Sequence, residues 1–320
     1  MKLLVTGGAG YVGSHTVHAL LAHGHEVVIL DNLSTGHKWA LQDCELITID
    51  LRDETNLVRN LKGRGFDGVL HFAAKSLVGE SKNQPAMYYQ NNVGGTTNLV
   101  RAMQAADIQR LVFSSTAAIF GNPATDLIDE AHPKAPINAY GQTKLVVEQM
   151  LEAVTASSDF SATCLRYFNA AGANNDANLG EWHEPETHLI PNALGAAAGT
   201  GNPLTLFGDD YPTSDGTCVR DYIHVDDLAS AHVAAIDTMS KSGVFGTYNL
   251  GNGNGYSVKE VIAACEKAAG SEIPFTIGPR REGDPPTLVA SSQKVRDELG
   301  WSPQHDSIEE IAQSAWNWEC

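Results

Sequence analysis

The stretch from Lys2 to Gly24 constrains the fold more than any other. Lys2 to Val5 reads as a short apolar strand, Thr6-Gly7-Gly8-Ala9-Gly10-Tyr11-Val12-Gly13 as a glycine turn, and the next residues as a helix. Val12, Val17, Leu20 and Leu21 fall on its inner face, and Gly24 stops it. The glycines satisfy GxGxxG from Gly8 and GxxGxxG through Gly7, Gly10 and Gly13. Glycines let backbone approach a pyrophosphate, and a helix N-terminus supplies N–H groups, so strand, turn and helix together predict a dinucleotide site. The following strand, Glu26 to Leu30, ends in Asp31. A carboxylate there accepts the two hydroxyls of an adenosine ribose and repels a 2′-phosphate, which favours NAD over NADP.

Strands are expected again at Glu45 to Ile49, Gly68 to Phe72, Arg110 to Phe113 and Ser161 to Leu165, with helical patterns between them. One long helix is predicted from about Pro85, with Asn91 and Asn92 inside it. Such alternation predicts an α/β fold, a doubly wound parallel sheet of the Rossmann type over residues 1–170. Residues 171–320 read as a smaller mixed α/β substrate domain, some of whose segments are expected to return to the first. From Ala171 to His188 runs a polar loop long enough to be functional. Ser257-Val258-Lys259-Glu260 is a capping box for a helix ending before Gly270. Asp306 and Glu309 predict a similar start for the last helix, with Ile308, Ile311 and Ala315 buried and Trp316 and Trp318 as packing residues.

Composition narrows the partners. A net charge of -17 repels nucleic acid and anionic membrane, so any phosphate must be met by a local site. The five cysteines, Cys44, Cys164, Cys218, Cys265 and Cys320, form no CxxC pair and read as reduced thiols. The opening strand leaves no room for a signal peptide and no apolar run is long enough to span a bilayer, so a cytoplasmic protein is expected. None of the twelve histidines stands in an HExxH-like spacing, so no metal is expected, and His15, His18, His23 and His25 read as solvated surface.

Chemistry points to Tyr140-Gly141-Gln142-Thr143-Lys144, at the start of a predicted helix that continues through Leu145, Val146, Met150, Leu151 and Val154. Tyr140 and Lys144 share one face at i and i+4. At about 5 Å and an effective dielectric of about 20, the ammonium favours phenolate by roughly 3 kcal/mol, about two units below an ordinary phenol near 10. Hydroxyls at Ser114, Ser115 and Thr116 follow a central strand, over the crevice where such sheets bind ligands. Asp50-Leu51 ends the third strand, and Ala73-Ala74-Lys75-Ser76 follows the fourth with small residues that let backbone pass a cofactor.

With GGAGYVGSH at 7–15, DNLS at 31–34, SST at 114–116, YGQTK at 140–144 and RYFNAAG at 166–172, the chain resembles the extended short-chain dehydrogenase/reductase family. HLIP at 188–191, FGDDYPTSDGTCVRDYIHVDDLA at 207–229, NLGNG at 249–253 and RREGD at 280–284 are similar to its nucleotide-sugar epimerases. The resemblance implies that UDP-galactose and UDP-glucose interconvert on a tightly bound, recycled NAD. Hydride leaves sugar carbon 4, the 4-keto sugar turns over, and hydride returns to its other face. Tyr140 would take the hydroxyl proton, Lys144 would hold the nicotinamide ribose, and Thr116 would relay the proton. Cofactor contacts are implied at Gly7, Gly10, Tyr11, Val12 and Gly13, and at Asp31, Asn32, Ser34, Thr35 and Gly36. Others fall on Asp50, Leu51, Phe72, Ala73, Ala74, Ser76 and Asn91, then on Ser114, Tyr167 and Phe168. Arg220 and Arg281 would clamp the diphosphate, a task suited to planar forked donors. Asn169, His188, Leu189, Thr205, Phe207, Tyr222 and Asp284 match further nucleotide-sugar contacts. A homodimer through the helices near residues 85–105 and 140–155 is implied as well.

The chain departs from the family's pattern at Ser76, where a lysine is frequent and Lys75 stands one residue earlier, and at His188, where many members have Asn. Leu288 stands where some members place Tyr, and the smaller side chain predicts that UDP-GlcNAc and UDP-GalNAc also fit. A 4,6-dehydratase on the same fold needs an acid and a base beside the threonine, and Ser115-Thr116-Ala117 supplies neither. A non-catalytic NAD-binding protein would not need Tyr140, Lys144 and Thr116 together.

Overall fold

The computed structural model describes residues 1–239, 242–281 and 284–319. A seven-stranded parallel sheet runs from edge to edge through Phe245–Leu250, Ser161–Tyr167, Arg110–Thr116, Gly68–His71, Lys2–Thr6, Glu26–Leu30 and Glu45–Ile47. Lys2–Thr6 lies between Glu26–Leu30 and Gly68–His71, so chain order reverses beside it and opens a crevice at the strands' carboxyl ends. Alternation along the strands divides the core in two. Leu4, Val28, Val69 and Leu111 face helices carrying Leu57, Leu99, Met103 and Leu151. Leu3, Val5, Ile29, Leu70 and Val112 face Val17, Leu20, Leu228 and Ile236.

The edge strand Phe245–Leu250 and the helix Val225–Thr238, which packs on Tyr11–Ala22, both come from beyond residue 170 and serve the first sheet. The smaller unit joins Gly255–Ser257, Val219–His224, Thr287–Ala290 and Leu127–Ile128 into a sheet, with Asn169–Ala171 beside Val219–His224. Leu204–Phe207 pairs separately with Phe275–Gly278. Three helices, Leu189–Ala198, Val258–Ala269 and Ile308–Glu319, enclose its own core around Ile190, Leu194, Val261, Ile262 and Ile311.

Several local expectations change. The strands starting at Arg110 and Ser161 run on through Thr116 and Tyr167, so the hydroxyls of Ser114 to Thr116 lie in the sheet and not after it. The third strand ends at Ile47. The helix expected from Pro85 is Pro85–Tyr88 and Gly95–Ala105 joined by a π-helical stretch, Tyr89–Gly94, that carries Asn91 and Asn92. Leu21 is exposed, one position beyond the buried stripe; His15 is buried, with its Nδ1 at 2.9 Å from the Tyr11 carbonyl within the helix, and the His25 ring is nearly buried beside Asp237. The capping box at Ser257 forms as expected. The last helix is capped by Ser307, whose Oγ accepts from Glu310 N at 3.3 Å, and not by Asp306. Cys44, Cys164, Cys218 and Cys265 are free thiols; Cys320 lies outside the described residues. Among the described residues no helix is long and apolar enough to cross a membrane.

Candidate active site

The glycine turn is a cradle without room for side chains. Gly7 has φ 73°, and a Cβ there would stand 2.5 Å from Ala73 N; one on Gly13 would stand 2.1 Å from Gly7 O. The helix Tyr11–Ala22 starts with neither a side-chain cap nor an acid in its first turn, which leaves its N-terminal N–H groups facing the crevice. At the next strand's end Asp31 is buried and accepts from Ala9 N at 3.1 Å and Leu33 N at 2.8 Å. Desolvation pushes its carboxyl above the ordinary range, and the two amides restrain that rise. Gly36 closes against it, since a Cβ would stand 3.0 Å from Asp31 Oδ2. Asn32, Ser34 and Thr35 form an exposed rim. Asn32 Nδ2 donates at 2.9 Å to Asp50, whose carboxyl Arg52 holds well below the usual range. Leu51 is buried behind it.

Phe72 and Ala73 bend over the turn by donating their N–H groups to Thr6 O at 2.9 and 3.2 Å. Ala74 is half-buried and Ser76 exposed. Buried Asn92 fixes this passage: it accepts from Lys75 N at 2.8 Å, donates to Lys75 O at 3.0 Å, and donates to Thr143 Oγ1 at 3.0 Å. Asn91, its neighbour, donates to Asn92 Oδ1 at 3.1 Å. The residues therefore fit a dinucleotide: a cradle that any Cβ would fill, uncapped N–H groups above it, and a buried carboxylate at the ribose end.

The helix Ala139–Ser157 brings Tyr140 and Lys144 to this crevice. Asn138 caps it, accepting from Gly141 N at 2.8 Å, and Gly141 lies so close to the turn after Thr116 that a Cβ would meet Ala118 O at 2.4 Å. Lys144 Nζ donates to Ser114 O at 2.8 Å and stands 6.0 Å from the Tyr140 ring centre. Thr116, at the end of the neighbouring strand, adjoins the Tyr140 phenol. Ser114 and Tyr167 share a 2.6 Å hydrogen bond alongside.

The expected acidic phenol is not what this geometry gives. Burial raises the Tyr140 phenol well above its ordinary value, a nearby Tyr167 adds to the rise, and the Thr116 hydroxyl only partly opposes it. Burial instead lowers the Lys144 amine to about 7. A charged lysine in a solvated site would favour the phenolate. In a buried one the cost of holding the ammonium exceeds its attraction for phenolate.

The smaller unit carries the remaining expected residues. Asn169 Nδ2 donates to Asp221 O at 2.9 Å, which aligns it beside Tyr222 in the paired strands. Arg220 Nη1 donates to Val219 O and Pro285 O at 2.9 and 2.8 Å, and its Nη2 lies 3.9 Å from Asp284. Arg281 stacks over the exposed Phe207 at 4.1 Å, on the strand that also carries Thr205. Glu282 and Gly283 of the RREGD stretch lie outside the described residues. Phe168 and Leu288 pack against Phe120 and Ile128. Leu189 opens a helix whose N-cap is His188, and His188 Nδ1 is turned to Glu181 at 2.7 Å and Glu186 at 3.1 Å, leaving Nε2 as its other polar edge.

Residues that sequence reasoning missed are mostly buried and polar. Asp221 accepts from Ala290 N, Asn252 N and Gly253 N, and burial pushes its carboxyl up to about 7. Glu148, on the Tyr140 helix, meets Arg166 at 2.6 Å and accepts from Ser115 Oγ at 2.6 Å, all of it buried. Glu181, His183, Glu186 and His188 come together in the polar loop despite the metal-free expectation. Two histidines alternating with two acids in eight residues were the available signal.

A parallel sheet with a glycine cradle, a terminal acid and a tyrosine–lysine helix defines a dinucleotide-dependent enzyme of the short-chain type. The NAD dependent epimerase/dehydratase family model matches residues 3–251, and the chain belongs to that family. Its relatives are more particular. A UDP-glucose 4-epimerase of Halalkalibacterium halodurans is 50% identical over 99% of this chain and 95% of its own. The solved UDP-glucose 4-epimerase of Bifidobacterium longum, in complex with NAD+ and UDP, is 41% identical with a TM-score of 0.95, covering 100% of this chain and 98% of that one. The UDP-Glc/GlcNAc 4-epimerase of Campylobacter jejuni is 42% identical with a TM-score of 0.87 over 99% and 98%.

Proposed function

We propose that the protein interconverts UDP-galactose and UDP-glucose on a retained NAD. The observation that carries this is the convergence of Tyr140, Thr116 and Lys144 at the carboxyl end of a sheet whose neighbouring crevice ends in Asp31. NAD, when bound, accepts a hydride from sugar carbon 4 and returns it. Gly7, Gly10 and Gly13 let its diphosphate reach the N–H groups of the first helix, and Asp31 accepts from the adenosine ribose. Asn32, Ser34, Thr35 and Gly36 shape that rim; Asp50 and Leu51 back the adenine. Phe72 to Ala74, Ser76, Asn91, Tyr167 and Phe168 line the remaining path.

Tyr140 receives the 4-hydroxyl proton and gives it back, with Thr116 holding the same oxygen. One proton must first leave the tyrosine–lysine pair: Lys144 loses it near neutral pH, and its neutral amine then takes the phenol proton as the phenolate so formed receives that of the sugar. Arg220 has N–H groups beyond the one bound to Val219 and Pro285, and with Arg281 it clamps the diphosphate. Asn169, His188, Leu189, Thr205, Phe207, Tyr222 and Asp284 complete the nucleotide side. Leu288 leaves room for an N-acetyl group, so UDP-GlcNAc is a second substrate, in keeping with the Campylobacter relative. We also assign a cytoplasmic homodimer through the helices near 85–105 and 140–155.

Incubating the purified protein with UDP-galactose and no added NAD should yield UDP-glucose by chromatography. Absence of any isomer even with NAD supplied overturns the assignment. The same assay with UDP-GlcNAc should yield UDP-GalNAc, and failure there removes only the second substrate.

A further inference from the structure

We propose that Glu181, His183, Glu186 and His188 bind one Zn2+ ion that clasps the polar loop beneath the cofactor turn. One ligand atom from each of the four lies within 4.8 Å of the other three. His183 Nδ1 stands 3.2 Å from Glu181 and 3.5 Å from Glu186, while His188 Nδ1 stands 2.7 and 3.1 Å from the same two acids. Zinc bonds of about 2.0–2.1 Å place tetrahedral ligand atoms about 3.3 Å apart, so the observed spacings straddle what the ion requires. His183 Nδ1 is buried yet makes no aligned hydrogen bond to either acid. A buried nitrogen this close to two carboxylates, with no hydrogen bond to either, is free to ligate an ion beside them.

Backbone and neighbouring groups hold the ligands. Glu186 Oε1 accepts from Thr187 N at 2.6 Å and His188 N at 2.8 Å, which fixes its carboxylate. Glu181 O accepts from Trp318 Nε1 at 3.3 Å, and the His183 ring stands edge-on to Tyr11 at 6.2 Å. Tyr11 in turn donates to Gly172 O at 2.6 Å. An ion here would tie the loop to the first residue of the cofactor helix and to the last helix of the chain. Imidazole and carboxylate donors suit Zn2+ better than Mg2+ or Ca2+, which favour all-oxygen sets. Four protein donors leave no open position, so the ion is structural.

Full-length protein stripped with a chelator and given Zn2+ should retain one equivalent per chain after gel filtration, measured by elemental analysis. Its Tm should rise by roughly 3 °C or more. Co2+ should give the intense visible bands of a four-coordinate site, and Mg2+ should give neither effect. His183→Ala and the shape-conserving Glu186→Gln should each lower the retained zinc at least tenfold while keeping native circular dichroism. If His183→Ala fails to fold, Glu186→Gln decides alone. Wild-type protein that keeps no zinc overturns the proposal, and so does a folded variant that keeps as much as wild type, since the ion then sits elsewhere.

Discussion

Lys144 is where residue chemistry and burial conflict most openly. Its amine falls to about 7 from an ordinary value near 10.4, because the side chain is buried and nearby Cys164 and Glu148 offset that only in part. Between those values the unfolded chain binds a proton that the folded one has released, so this group's contribution to stability increases as pH rises from about 7 to about 10.4. Below about 7 both states are protonated and the contribution is constant. Catalysis should follow the same proton: kcat/KM rises roughly tenfold per pH unit below about 7 and then levels, because the pair cannot accept the sugar's proton until it has lost one. In Lys144→Met the phenol keeps its proton, so kcat should fall by about 10²–10⁴ and the inflection near 7 should disappear. An unchanged inflection in that variant, followed by initial rates across pH, would assign the titration to another group. The shared helix of Tyr140 and Lys144 was legible from their spacing and neighbours. Their protonation was not, because charge attraction can be estimated from spacing while desolvation depends on walls that sequence does not display.

The elements that present the site are fastened by buried polar groups, and these were the hardest to read. Glycine spacing and apolar periodicity revealed the sheet, the first helix and the Tyr140 helix, since both patterns are local. The Glu148–Arg166 pair joins that helix to the strand Ser161–Tyr167 with no accessible side chain on Arg166, and neither residue announces its partner in sequence. Arg166→Met leaves a buried carboxylate without its cation and should cost about 3–5 kcal/mol in urea unfolding; adding Glu148→Leu should recover much of that loss. Equal stability of the single and double variants would mean that the charge is relieved by water. Asn92 works likewise, from a π-helical stretch that turns its amide toward Lys75 and Thr143 at once. A regular helix was the simpler reading of the sequence there, and it would have missed why the passage beside the cofactor is rigid.

At the scale of the whole molecule, the chain crosses the expected division near residue 170 in both directions. Leu127–Ile128 from the first half enters the smaller sheet, and Phe245–Leu250 returns to the larger one alongside Ser161–Tyr167. A return of later segments was expected, but alternating strand and helix signals report local structure and do not say which segments return, nor that Leu127–Ile128 crosses the other way. A chain ending at residue 170 should accordingly be insoluble or fail to protect its amides from hydrogen exchange, whereas soluble, cooperatively unfolding protein would show the first half to be autonomous. The same exchange bears on how the protein is born. On the ribosome, the strand Ser161–Tyr167 emerges long before the segment that covers its outer edge, and until about eighty more residues have been translated it offers unpaired backbone to any passing strand. Nascent chains thus pass through an interval in which the cradle for the dinucleotide can exist while the sheet beneath Tyr140 is still open, and a chaperone has its greatest use then.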